Sequence, residues 1–174
     1  MNVAFQGDRS QLRRPNVAWP TVLLTAIIMI TWLSLPLLAA AGWLPMALAS
    51  AIAAVAAYAA FTPMHDAAHR SVGKSTVLNE MVGWICCVPL FAPFAAFREM
   101  HLTHHKNTNQ PDVMMDPDMW SGTGPRWALP LRWATQDLFY YYWALRMGRQ
   151  LKPHVQIALW CGALVMYSAA AGLV

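Results

Sequence analysis

The longest uncharged stretch of the chain covers residues 15–65 and reads PNVAWPTVLLTAIIMITWLSLPLLAAAGWLPMALASAIAAVAAYAAFTPMH. A helix that spans a bilayer needs about 20 mostly apolar residues, so this stretch has room for two crossings. Gly42 and Pro45 indicate a short turn between them. We therefore expect a first helix over residues 19–41 and a second helix over residues 46–62.

The composition of the whole chain supports the same class of protein. Of the 174 residues, 57% are hydrophobic and 11% are charged, whereas soluble domains contain roughly 25% charged residues. Residues 153–174 again lack Asp, Glu, Lys and Arg and predict a third crossing. This composition argues against a soluble or secreted globular protein, a disordered chain and a nucleic-acid-binding protein.

Residues 81–97 are apolar but contain Pro89 and Pro93. Each proline removes a backbone hydrogen-bond donor and disfavours a continuous helix, so a re-entrant or interfacial hairpin is favoured over a crossing. Without a crossing here, all twelve Lys and Arg residues lie on one side of the membrane, which the positive-inside rule identifies as the cytoplasm. The prediction is a cytoplasmic N-terminal tail over residues 1–16, with the polar segment after residue 65 on the same side.

Aromatic and basic side chains mix in residues 126–152, which is typical of helices at the level of the lipid headgroups. The segment lies between apolar regions, so no nucleic-acid partner is expected. Residues 106–125 are rich in Asn, Asp, Gly and Pro and predict a loop. The predicted fold is an all-α, multi-pass integral membrane protein with about three transmembrane helices, one re-entrant or interfacial hairpin, and helices on the cytoplasmic face.

Five of the six histidines fall into two short motifs, HDAAH at residues 65–69 and HLTHH at residues 101–105. They are His65, His69, His101, His104 and His105. The first and last residues of each motif are four apart and share one face of a helix. Imidazole is a common ligand for iron, zinc and copper, but a single zinc ion takes only three or four protein ligands. Five histidines without paired cysteines therefore favour a site for two metal ions.

An isolated histidine pair at a membrane boundary is often only an interfacial or hydrogen-bonding pair. Five histidines at the ends of apolar segments favour metal ligation, because ionisable groups near the bilayer are costly and usually functional. The sixth, His154, stands alone after Pro153 and is expected to be an interfacial residue.

The two motifs, followed by KNTNQPD at residues 106–112 and DPD at residues 116–118, resemble those of the membrane fatty acid desaturase family. The similarity spans roughly residues 60–120. It implies two non-haem iron ions held by the five histidines, in an enzyme that uses dioxygen and two electrons to form a cis double bond in a fatty acyl chain. Carotenoid hydroxylases and ketolases and alkane hydroxylases share similar motifs, so these activities stay an alternative.

Members of that family also carry a third motif of the form HxxHH, which does not occur in residues 106–174. The expectation is that the chain is the N-terminal portion of a longer enzyme, with residues 1–174 forming one partial desaturase-like membrane domain. One alternative is that another polypeptide supplies the missing ligands. A second alternative is a catalytically inactive membrane fragment.

Two carboxylates lie close to the motifs, Asp66 inside the first and Glu99 two residues before the second. Ligating histidines usually donate their second ring N–H to a carboxylate or a carbonyl, so these two side chains are predicted to fix the ligand rings. Asp112, Asp116 and Asp118 lack the glycine and the final glutamate of an EF-hand loop. For these three, turn-forming and electrostatic roles are predicted.

The expected substrate is a lipid or another apolar molecule that enters a tunnel from the bilayer, with Phe91, Phe94 and Phe97 as candidates for the tunnel mouth. Electrons must come from another protein, because the sequence has neither a Gly-rich dinucleotide motif nor a haem attachment motif. We expect a ferredoxin, rubredoxin or cytochrome-type donor at the basic segment of residues 126–152. Orientation on anionic lipid explains the same charges equally well.

Overall fold

The computed structural model describes residues 14–171, without the side chains of residues 137, 159 and 165–171. The predicted cytoplasmic tail therefore lies mostly outside the described residues. The described chain is helical and contains no strand, so the all-α class is confirmed. The helices are α1 (Trp19–Ala40), α2 (Met46–Ala59), α3 (Phe61–Ala68), α4 (Thr76–Leu90), α5 (Phe94–Asn107), α6 (Leu129–Ala134), α7 (Gln136–Met147) and α8 (Pro153–Ala171).

The chain forms two compact units, residues 1–82 and residues 83–174. In the first unit, α1 packs against α2 and α3. Within the described residues, α1 and the stretch Met46–Ala68, formed by α2 and α3, are long and apolar enough to cross a membrane. Large apolar side chains on α1 face outwards, with Ile30 exposed by 69% and Leu37 by 72%. Lipid chains would cover such a surface.

The turn after α1 occurs where the glycine predicts it. Gly42 has a φ angle of 75°, in the left-handed region that favours glycine. The N–H of Trp43 donates to the carbonyl of Leu38, and the N–H of Gly42 to that of Ala39, both at 3.0 Å. This is the Schellman pattern of a helix end. The second helical stretch continues to Ala68 rather than residue 62, because the first histidine motif is itself helical.

A buried asparagine holds the loop between α3 and α4. The side-chain oxygen of Asn79 accepts from the N–H of Val72 at 3.1 Å, and its amide donates to the carbonyls of Gly73 at 2.9 Å and Ser75 at 2.6 Å. Gly73 forms an isolated bridge with Val17, just before α1. Asn79 thereby ties α4 to the loop that contacts the start of α1.

Replacing Asn79 with alanine is expected to lower the free energy of unfolding by about 1–3 kcal/mol for each buried backbone group that loses its partner. The thermal unfolding midpoint in detergent measures the effect. The matched control is Asn16→Ala, because the Asn16 side chain is exposed. Equal midpoints for the two variants would contradict the role assigned to Asn79.

In the apolar stretch after residue 80, α4 and α5 meet at a sharp bend of 99°. Phe91 adopts a φ angle of 52°, which ends α4, and Pro93 precedes the first residue of α5. Gly83 faces Phe94, and a Cβ atom at Gly83 would collide with the Phe94 ring. The predicted break in the helix is therefore confirmed. The bent pair fits either a broken span or a re-entrant loop, and the re-entrant topology stays a prediction.

The rest of the second unit supports the segment after α5. The 3-10 turn Pro117–Trp120 packs against α5 and α7, and the Trp120 ring stacks on Phe139 with the centroids 4.7 Å apart. The indole of Trp143 is buried and donates to the carbonyl of Met114 at 3.0 Å. The loop predicted after residue 106 is thus fixed by packing. α8 contacts α5, and a bilayer crossing by α8 stays a prediction.

Candidate metal centre

The first histidine motif lies at the end of the second apolar stretch, in the first unit. His65 is in the last turn of α3 and His69 caps its C-terminus. Their rings lie with centroids 4.7 Å apart at an interplanar angle of 59°, and each ring offers a nitrogen within 4.8 Å of the other. Both residues are half-buried. The helical spacing therefore brings the two imidazoles to one face, as predicted.

The second motif occupies the C-terminal half of α5, in the second unit. The Nε2 atoms of His101 and His105 are 3.0 Å apart, and the two rings are nearly perpendicular, at 89°. His101 is buried and stacks on Phe97, with the centroids 5.3 Å apart and the planes 8° from parallel. This stacking restricts the rotation of the His101 ring.

The separation of these two nitrogens fits a shared cation. Two imidazole nitrogens bound at right angles to one ion, each at about 2.1 Å, lie about 3.0 Å from each other. Nitrogen is also the donor that iron, zinc and copper accept in proteins. The donor set of the second motif, with imidazoles on adjacent helical turns, therefore suits a transition-metal ion and suggests a metal site.

His104 is held differently from its neighbours. Its Nδ1 atom lies 2.7 Å from Oδ1 of Asp116, and its ring centroid is 6.3 Å from that of His101 and 5.4 Å from that of His105. An ionised carboxylate only accepts hydrogen bonds, so the proton is assigned to Nδ1 of His104. The lone pair on Nε2 is then available to a metal ion, and the carboxylate fixes both tautomer and orientation.

The contact between Asp116 and His104 was not predicted from the sequence. The Asp116 side chain is fully buried and accepts from the backbone N–H groups of Asn109 at 2.7 Å and Asp118 at 3.2 Å, in addition to His104. The predicted turn-forming role is confirmed, because Asp116 caps the 3-10 turn. The contact with His104 bridges twelve residues of irregular chain, and no periodic pattern predicts such a contact.

Asp66 and Glu99 are the two carboxylates that the sequence predicts to fix the histidine rings. Asp66 lies on α3 and accepts a hydrogen bond from the hydroxyl of Thr21 on α1, at 2.8 Å. Glu99 lies on α5 and is half-buried, and its backbone carbonyl accepts from the Thr103 hydroxyl at 2.7 Å. Their roles beside the histidines stay predictions. In the second unit, the Asp116 carboxylate is within hydrogen-bond distance of a ring of the second motif, that of His104.

An apolar cavity of about 280 Å³ lies in the second unit, next to the second motif. Its wall includes Leu90, Pro93, Phe97, Met100, Tyr140 and Trp160. A cavity of about 150 Å³ in another protein holds a benzene molecule, so this one accommodates several carbons of an extended chain. Of the three phenylalanines predicted at a tunnel mouth, Phe97 lines the cavity. Phe94 is buried beneath Arg98, and Phe91 is exposed at the helix break.

Comparison with curated proteins and with solved structures gave no match. The family model of fatty acid desaturases matches residues 41–174. The matched region contains both histidine motifs, the loop with Asp116 and every residue that lines the cavity. It covers more than half of the chain, and the chain therefore belongs to the fatty acid desaturase family.

Proposed function

We propose that the protein is a membrane oxidoreductase that introduces a double bond into a fatty acyl chain. In this proposal, two non-haem iron ions are held by five histidines. They are His65, His69, His101, His104 and His105. The observation that carries the proposal is that the chain belongs to the fatty acid desaturase family. In addition, each of its histidine motifs presents two paired imidazoles on one face of a helix.

The proposed reaction converts a –CH2–CH2– unit to –CH=CH–, while dioxygen takes up the two hydrogens, two electrons and two further protons to give two water molecules. Iron, when bound, would activate dioxygen for the removal of hydrogen from an unactivated C–H bond, a step that no side chain can carry out. The residues of the chain hold and orient the ions. Stacking on Phe97 fixes the ring of His101, and the Asp116 carboxylate fixes that of His104.

The apolar cavity of the second unit is the proposed site for part of the acyl chain. Apart from Tyr140 and Tyr141, its wall is formed by apolar residues, which come from α5, α7, α8 and the break between α4 and α5. Burial of a methylene group contributes about 0.8 kcal/mol, so a cavity of this kind favours an extended alkyl chain over a polar substrate. Entry of the substrate from the bilayer follows from its low solubility in water.

An external electron donor is part of the proposal. The segment of residues 126–152 contains exposed arginines, including Arg126, Arg146 and Arg149. A ferredoxin, rubredoxin or cytochrome-type protein with an acidic surface would dock there by charge complementarity. Placement of this face and of the histidine motifs in the cytoplasm is supported by the distribution of Lys and Arg.

Metal analysis and product analysis test the proposal together. The protein, purified with membrane lipid, is expected to bind iron, and reduction of the full-length enzyme in the presence of dioxygen and an acyl substrate is expected to yield a product lighter by two hydrogens. Mass spectrometry distinguishes this product from one that carries an added oxygen. Zinc, or no bound metal, would overturn the proposed iron site, and an oxygenated product would identify a hydroxylase instead.

A further inference from the structure

Tyr140 lies between the apolar cavity and the second histidine motif. Its ring forms part of the cavity wall, and its hydroxyl donates to Oδ1 of Asp118 at 2.8 Å. The hydrogen bond joins the cavity wall to a carboxylate of the turn that follows α5.

Asp118 in turn lies beside His104. Its Oδ2 atom is 3.6 Å from Nδ1 of His104, the nitrogen that donates to Asp116 at 2.7 Å. The N–H of Asp118 also donates to Asp116, at 3.2 Å. Two carboxylates therefore flank one ring nitrogen. The Asp118 side chain is partly exposed, and the hydrogen bond from Tyr140 restrains its orientation.

A second aromatic side chain joins the cavity to the motif by a separate route. Phe97 lines the cavity and stacks on the ring of His101. A molecule that fills the cavity thus contacts two side chains, each of which restrains one histidine. The first restraint is electrostatic and runs through Asp118, whereas the second is direct packing.

We propose that Tyr140 is a positioning residue that couples occupation of the apolar cavity to metal binding at the second histidine motif. An alkyl chain in the cavity packs on the Tyr140 ring and holds its hydroxyl on Asp118, which keeps His104 in the orientation that presents Nε2. Coupling of this kind is reciprocal, so the metal also raises the affinity for the alkyl chain by the same factor. The inference rests on the proposed function, because it takes His104 as a metal ligand.

The test is a titration with Co²⁺, followed by its visible absorption bands, in phosphatidylcholine nanodiscs with and without saturating palmitate. Palmitate is expected to raise the Co²⁺ affinity of the wild-type protein by about fivefold or more. Tyr140→Phe keeps the ring but removes the hydroxyl, and is expected to reduce this enhancement to less than about twofold. The matched control is Tyr142→Phe, on the exposed side of α7, which is expected to retain the wild-type enhancement.

The outcomes separate this inference from the function on which it rests. A wild-type Co²⁺ affinity that palmitate leaves unchanged, or an undiminished enhancement in Tyr140→Phe, overturns the coupling and leaves the metal site intact. Absence of Co²⁺ binding to the wild-type protein overturns the proposed function and the coupling with it. If Tyr140→Phe does not fold, Asp118→Ala removes the group that accepts from Tyr140 and interrupts the same link from its other end, and its expected result is the same loss of enhancement.

Discussion

Iron binding is expected to be lost when His104 is replaced by alanine and to be retained when His154 is replaced by alanine. The His104 ring is held by Asp116 in the tautomer that leaves Nε2 free to bind a metal. Removal of a hydrogen-bond partner of a metal ligand typically costs 10–100-fold in metal affinity, so loss of the ligand itself should cost more than about 100-fold. Iron content after purification, with Co²⁺ titration of the apoprotein, measures the difference.

His154 is the matched control because it is an exposed histidine at the start of α8. Both substitutions remove one imidazole, so a general effect of histidine loss on expression or stability appears in both variants. Equal metal content in the two proteins would contradict the assignment of His104 as a ligand.

A loss of about 10–100-fold in metal affinity is expected for Asp116→Asn. The side chain keeps its size, but its negative charge is removed and one of its two oxygens is replaced by an amide nitrogen that cannot accept a hydrogen bond. The bonds lost are those from His104 and Asp118 if the nitrogen replaces Oδ1, and that from Asn109 if it replaces Oδ2. The His104 ring is then free to take the other tautomer. Metal titration measures the effect, and the thermal unfolding midpoint shows the loss of the buried hydrogen bonds.

Asp112→Asn is the control for this substitution. Asp112 is an exposed residue of the same loop, and its carboxylate accepts from the N–H of Met114 at 2.9 Å, a bond that asparagine can also accept. It is expected to retain metal affinity. If Asp116→Asn lowered the unfolding midpoint without lowering metal affinity, the role of Asp116 would be limited to the turn.

The sequence was sufficient to predict the features that depend on local pattern. The uncharged stretch predicts α1 and α2, Gly42 predicts the turn between them, and the two prolines predict the break between α4 and α5. The four-residue spacing within each motif predicts the pairing of the rings, because helix geometry determines which residues share a face. The family followed from the same motifs.

The contacts that escaped prediction join residues far apart in the sequence. Asp116 reaches His104 across an irregular loop, and the Tyr140 hydroxyl reaches Asp118 from α7. Such contacts depend on how the loop packs between α5 and α7, for which the sequence carries no periodic pattern. Asn79 is a similar case, because an asparagine near the start of a helix is ordinarily a solvated residue, yet here it is buried and makes three hydrogen bonds with the backbone.

The position of Asp116 has a consequence for how the loop can vary. Surface loops ordinarily tolerate insertions and deletions, but here one carboxylate binds the backbone on both sides of the loop and the ring of His104. An added or deleted residue between positions 109 and 116 would shift that carboxylate relative to the ring. The contact with His104 therefore constrains the number of residues in this loop more tightly than their identity.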